Sequence, residues 1–92
     1  MIRTFKHRGL KRLYERGDQG KVSAEHLELI EDILAFLVIA EKPQDLAKPG
    51  YNLHPLKGNF KGFWSVKVSG NWRIIFRFKN GDAFDVDLID YH

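Results

Sequence analysis

Apolar residues fall at every second position in three successive runs of this 92-residue chain: Trp64, Val66 and Val68; Trp72, Ile74, Phe76 and Phe78; Phe84, Val86 and Leu88. Two is the period of a strand with one buried face, and a helix cannot gather such residues on one side. Ser69-Gly70-Asn71 and Asn80-Gly81-Asp82 separate the runs with turn chemistry, so the three strands are expected to fold back on one another. Tyr51 to Leu56 reads as a shorter strand ahead of them. The last turn sets the register. A two-residue turn at Asn80 and Gly81 would put Phe84 opposite Arg77, whereas a three-residue loop puts Phe84 opposite Phe78 and Asp85 opposite Arg77. The three-residue loop is the expectation. One sheet face then buries Trp72, Ile74, Phe76, Phe78, Phe84, Val86 and Leu88, and the other displays Lys67, Arg73, Arg77 and Lys79.

The first half reads as helical. Ile2 to Phe5 is a short strand candidate, and His7 to Arg16 follows with Leu10, Leu13 and Tyr14 on one face and Gly17 as a stop. A longer helix is expected after Ser23, a good N-cap. Leu27, Ile30, Ile33, Leu34, Leu37 and Val38 form its buried stripe, Val22 and Leu27 a hydrophobic staple, and Glu25 complements the dipole. Pro43, Pro49 and Gly50 end it and turn the chain toward the sheet. The expected fold is α+β, with two amino-terminal helices on one face of a small, mostly antiparallel, curved sheet. Residues 1–92 make one domain, which buries about 60–65% of its unfolded surface.

Charge is segregated along the chain. From Lys48 to Lys79 there are seven Lys or Arg and no acid, from Val22 to Ala47 six acids against one Lys, and the first 21 residues carry seven Lys or Arg against two acids. A surface of that kind suits a polyanion, because phosphate contacts supply most of the affinity of nucleic-acid binders. The chain has no cysteine, which fits a reducing cytoplasm and leaves His and carboxylates as the only ligands for a metal. No apolar run of about 18 residues and no basic-apolar leader is visible, so neither a membrane span nor a signal peptide is expected.

The final residues Asp90, Tyr91 and His92 place an acid, a phenol and an imidazole at the end of a strand that its apolar residues would hold still. Arg73 is expected near the far end of the neighbouring strand, adjacent to Tyr91 and His92. Strict alternation puts Asp90 on the buried side. His54-Pro55-Leu56-Lys57-Gly58 offers a second basic group, with Lys57 between Pro and Gly on a loop or strand end. These groups match metal-free RNA scission, in which a base activates a 2′-hydroxyl, that oxygen attacks phosphorus, and an acid protonates the leaving 5′-oxygen. Arg73 and Lys57 would stabilise the extra negative charge, and His92 can act as acid or base near neutrality. Structural roles compete with each assignment. Arg73 could pair with Asp85 or Asp87, Lys57 could be a solvated lysine, and Tyr91 could cap a sheet edge.

Nearly the whole chain resembles a known family. Phe5-Lys6-His7, Gly9-Leu10-Lys11, Leu53 to Gly58, Trp64-Ser65, Asn71-Trp72-Arg73-Ile74, Asn80 to Ala83 and the terminal Asp90-Tyr91-His92 are similar to HigB-type toxins of the RelE superfamily, the host-inhibition proteins of bacterial toxin-antitoxin pairs. The resemblance implies a ribosome-dependent mRNA endonuclease that cuts a codon in the decoding A site of the 70S ribosome without metal or other cofactor. It implies Lys57, Arg73, Asp90, Tyr91 and His92 as catalytic residues, with His54 as helper. It also implies a helix-turn-helix antitoxin of the HigA type, through which alone DNA would be contacted. Arg8, Lys11, Arg12 and Arg16 on the first helix, with Lys67, Arg77 and Lys79 on the sheet, are the expected RNA-binding residues. Two rival functions are a gyrase poison of the same superfamily and a non-catalytic RNA-binding module. The first has no need of a terminal imidazole, and the second predicts exposed aromatic rings on the basic sheet face.

Overall fold

The structure, a computed structural model, describes residues 1–91. Its sheet comprises β1 (His54–Pro55), β2 (Trp64–Ser69), β3 (Trp72–Lys79) and β4 (Asp82–Asp90), antiparallel and in that spatial order. The amino terminus adds a parallel edge beside β4. Ile2 bridges Ala83 and Phe5 bridges Val86, while the N–H groups of Arg3 and Lys6 donate to the carbonyls of Ala83 and Val86, both at 2.8 Å. That edge is fastened by charge: Arg3 Nε lies 2.9 Å from Asp82 and the terminal ammonium 3.5 Å from it. The Arg3 hydrogen bond, more than any other influence, holds the Asp82 carboxyl below the usual carboxylate range.

Two helices cover one face of the sheet. In α1 (Arg8–Arg16) the His7 ring caps the start, Nδ1 accepting from the Leu10 N–H at 3.1 Å, and Gly17 closes the end in the left-handed region. The second helix, α2 (Leu27–Ile39), begins later than Ser23. The His26 N–H donates to the Ser23 carbonyl at 3.0 Å, so residues 23–26 form a tight turn. Glu28, and not Glu25, therefore occupies the first turn. Val22 is buried all the same. Leu10 and Leu13 of α1 and Ile30, Ile33, Leu34 and Leu37 of α2 meet Val66, Val68, Ile74, Phe76, Ala83 and Val86 in one core. Each fully buried side chain of this size contributes about 1.5–3 kcal/mol.

Four expectations about the sheet need correction. The strand predicted over Tyr51 to Leu56 is paired as a strand only at His54–Pro55. Asn52 is left-handed (φ 49) and Pro55 has no N–H to donate, which interrupts the ladder. The last turn has two residues and not three. Phe78 pairs with Ala83 and Lys79 with Asp82, and Asn80 (φ 53) and Gly81 (φ 81) both have the positive φ of a type I′ turn. Arg77 consequently faces Phe84.

That register does not persist. Ile75 pairs with Asp87, so two steps along β3 match three along β4, and Asp85 at φ 53 marks the bulge. Past it, Ile74 meets Leu88 and Arg73 meets Ile89, the pairs that the three-residue loop would have produced. Phe84 thereby leaves the core face and joins Arg77. Trp72, the first residue of β3, is also outside the core, at 40% exposed. It stands beside a second register shift, between Lys67 and Ser69. Phe78 and Leu88 pack against the core as expected.

Candidate active site

Of the predicted catalytic residues, Arg73, Tyr91 and His54 fall on the sheet face turned away from the helices. Tyr91 is anchored there. Its N–H donates to the Asn71 carbonyl at 2.8 Å, and its ring meets Phe60 edge-on with centroids 5.9 Å apart. Arg73 pairs with Ile89, and alternation from Ile89 to Tyr91 puts the phenol on the guanidinium's side of the sheet. Asp90 pairs with Trp72, points to the other side by the same alternation, and is exposed. His92 lies outside the described residues.

Arg73 is held by carbonyls and, among the described residues, makes no ion pair. Its Nη1 donates to the carbonyls of Gly70 at 2.8 Å and Trp72 at 3.2 Å, which leaves the Nε and Nη2 hydrogens for a ligand. Neither competing carboxylate takes it. Asp85 instead meets Arg77 Nε at 3.3 Å, and Asp87, whose Oδ1 accepts from the Leu88 N–H at 2.9 Å, makes no ion pair among the described residues. Lys67 is the residue directly opposite Arg73 on β2, so two cations share one row.

His54 enters from β1, opposite Ser65. Its Nδ1 is 2.8 Å from the Asn52 carbonyl. A carbonyl can only accept, so in the neutral ring Nδ1 carries the hydrogen and Nε2 presents its lone pair to solvent. Lys57 is exposed and extended at the head of a short 3-10 turn, Gly58–Phe60. Gly58 adopts φ 63, a conformation that glycine supplies cheaply.

The remaining basic residues divide. Lys67, Arg77 and Lys79 share the open face with Arg73. Arg8, Lys11, Arg12 and Arg16 do not, because α1 sends Leu10 and Leu13 into the core on the other side of the sheet; with Glu15 they line a shallow groove of their own. Among the described residues no three His, Asp or Glu side chains converge as metal ligands, and no helix is long and apolar enough to cross a membrane.

Sequence reasoning missed several members of this face. Residues 56–63 fold onto it and carry Phe60 and Phe63, which have no strand period to announce them. Phe84 arrives through the two-residue turn. The open face therefore does hold aromatic rings, contrary to the register expected from sequence. Beneath them lies Ser65, fully buried with no hydrogen-bond partner for its hydroxyl among the described residues.

The chain has relatives of known family. A family model described as RelE-like toxin of type II toxin-antitoxin system HigB matches residues 3–92. The Endoribonuclease HigB of Proteus vulgaris is 46% identical over 92 residues, the whole of both chains. Toxin HigB-1 of Vibrio cholerae serotype O1 is 30% identical over 90 residues, spanning 96% of this chain and 95% of that protein. In architecture the chain is similar to a point mutant of YafQ from E. coli, with a TM-score of 0.56 at 15% identity over 95% of this chain and 89% of that one. The chain belongs to the HigB family of RelE-like toxins of type II toxin-antitoxin systems, and its family implies an antitoxin partner.

Proposed function

We propose that this toxin is a cytoplasmic endoribonuclease that cuts messenger RNA in the A site of translating ribosomes and needs no metal. The 2′-hydroxyl beside the cut attacks phosphorus and the 5′-oxygen leaves. Arg73 and Lys57 stabilise the charge that builds on the phosphoryl oxygens, His54, Tyr91 and His92 share the proton transfers, and Asp90, turned to the other side of the strand, orients its neighbours. In the neutral tautomer that Asn52 favours, His54 Nε2 is able to accept a proton.

The observation that carries the reading is the placement of Arg73 and Tyr91 on one basic face of adjacent strands, with no carboxylate on the guanidinium among the described residues. Likeness to a protein named an endoribonuclease supports it over the length of both chains. Lys67, Arg77, Lys79 and the α1 cations would meet RNA, the latter on ribosomal surfaces. A helix-turn-helix antitoxin of the HigA type would quench the activity and supply the contact with DNA.

The test is cleavage of messages on ribosomes programmed with a defined A-site codon. Arg73→Ala should slow cutting about 100- to 1,000-fold, the usual loss of a transition-state charge donor. His92→Ala should slow it as well, and a message with one 2′-deoxy sugar at the cut should resist. Undiminished cutting of the deoxy message would overturn the mechanism, and full activity of both variants would overturn the site.

A further inference from the structure

An aromatic path leaves Tyr91 and runs along the open face. Tyr91 meets Phe60, and Phe60 meets Phe63 with centroids 6.3 Å apart, both edge-on. Phe63 then sits near two cations, with the Arg77 guanidinium carbon and Lys6 Nζ each 5.7 Å from its ring centre. Beside Arg77 a cleft of about 540 Å³ opens, lined by Gly62, Arg77, Phe78, Lys79, Asn80 and Phe84. That volume lies in the range of small-ligand pockets. Rings beside cations are the chemistry of a single-strand groove, where bases stack and phosphates are neutralised.

The charges in the cleft are available. Lys79 stands directly opposite Asp82, but that carboxylate is already engaged by Arg3 and the terminal ammonium. Arg77 has Asp85 at 3.3 Å in a half-exposed pair, a type worth about 0–1 kcal/mol and easily opened by a phosphate. Arg77 is four residues along β3 from Arg73, roughly 13 Å, so the cleft shares the face of the proposed cutting site without overlapping it.

We propose that this cleft is a second RNA subsite, which takes a single-stranded RNA nucleotide with its base on Phe84 and its phosphate on Lys79 and Arg77. The inference rests on the RNA-cutting function proposed above. A flanking message nucleotide and a ribosomal RNA nucleotide present the same chemistry, and the experiment separates them.

The full-length protein would be titrated against a short fluorescent single-stranded RNA by anisotropy, and then assayed on programmed ribosomes. Phe84→Leu keeps apolar bulk but removes the ring face. It should weaken RNA binding about tenfold, within the ordinary range for one base stack. Lys79→Gln should weaken it and reduce the salt dependence by about one phosphate contact, and Lys79→Arg should restore both. On ribosomes the two weakening variants should raise the half-saturating concentration and leave the maximal rate unchanged. If that penalty vanishes on a message ending at the A-site codon, the message fills the cleft; if it persists, ribosomal RNA does. RNA affinity within twofold of wild type for both Phe84→Leu and Lys79→Gln, at unchanged thermal midpoints, would overturn the subsite. So would a photo-crosslinker at position 84 that captures the antitoxin and no RNA. A protein that shows the binding losses yet cuts nothing would overturn the cleavage reading and leave the subsite standing.

Discussion

Replacing Ser65 with alanine should make this protein more stable. The residue is fully buried on β2, and its hydroxyl oxygen has no hydrogen-bond partner among the described residues. A hydroxyl left unsatisfied away from water costs about 1–3 kcal/mol, because it gives up its bonds to water and gains none. Ser65→Ala keeps the Cβ and removes only that oxygen. The void left behind is smaller than a methylene, so the lost packing returns only part of the gain. Neither residue is a strong strand former, which leaves propensity nearly neutral. The net expectation is about 1 kcal/mol of added stability, equivalent to a rise of about 4–8 °C in Tm for a domain of this size. Urea unfolding followed by the fluorescence of Trp64 and Trp72 measures it, read as a higher midpoint at unchanged slope. A midpoint lower by a comparable amount would refute the reasoning, since it would mean that the hydroxyl is satisfied in the folded protein.

Gly9→Ala should act in the opposite sense although Gly9 lies in α1. A Cβ there would sit 2.6 Å from the Lys21 Cβ and 2.8 Å from the His7 ring, so overpacking of about 1–3 kcal/mol opposes a helix-propensity gain of about 1 kcal/mol. A Tm above wild type would refute it. Asp82 should confer acid sensitivity. Its folded carboxyl is held below the ordinary range chiefly by Arg3, so its contribution is complete above that range and is lost as pH falls through the depressed value. Asp82→Asn should lower Tm near neutrality and shrink the fall in Tm between about pH 6 and about pH 2. An equal fall in both proteins would refute it.

Periodicity made most of the fold legible, because burial on one side leaves a mark at every second or every third and fourth residue. Leu10 and Leu13, the α2 stripe, and Ile74, Phe76 and Val86 are where that rule places them. It failed where backbone geometry intervened. Ser23 carries the chemistry of an N-cap, yet residues 23–26 make a tight turn of their own and the helix waits until Leu27. Phe60 and Phe63 belong to a segment that crosses a face without pairing along it, so no alternation reveals them. Phe84 follows from the two-residue Asn80-Gly81 turn, the alternative to the expected loop, whereas the bulge that returns Val86 to the core rests on a positive φ at Asp85 with no signature as plain as Asn-Gly. For the candidate site, the shared face of Arg73 and Tyr91 was readable from alternation. That Asp85 goes to Arg77 and not to Arg73 was not readable, since it depends on the register around the bulge.

The bulge decides which member of the terminal acid-phenol pair faces Arg73. Extended unchanged, the register of the Asn80-Gly81 turn would set Arg73 opposite Leu88 and Ile75 opposite Val86. A slip of one residue sends every later side chain to the other face. Val86 and Leu88 would then be turned out of the core, and Asp90, not Tyr91, would stand on the cationic side. The extra residue at Asp85 reverses this halfway along β4. It returns Val86 to full burial and brings the phenol round to Arg73, while the stretch before it keeps Phe84 beside Arg77. The amino terminus braces this arrangement: Thr4 Oγ1 accepts from the Asp85 N–H at 2.8 Å, and the Thr4 carbonyl accepts from the Val86 N–H at 3.1 Å. A parallel edge made by the first residues of the chain thus sets the register in which its last residues present their chemistry.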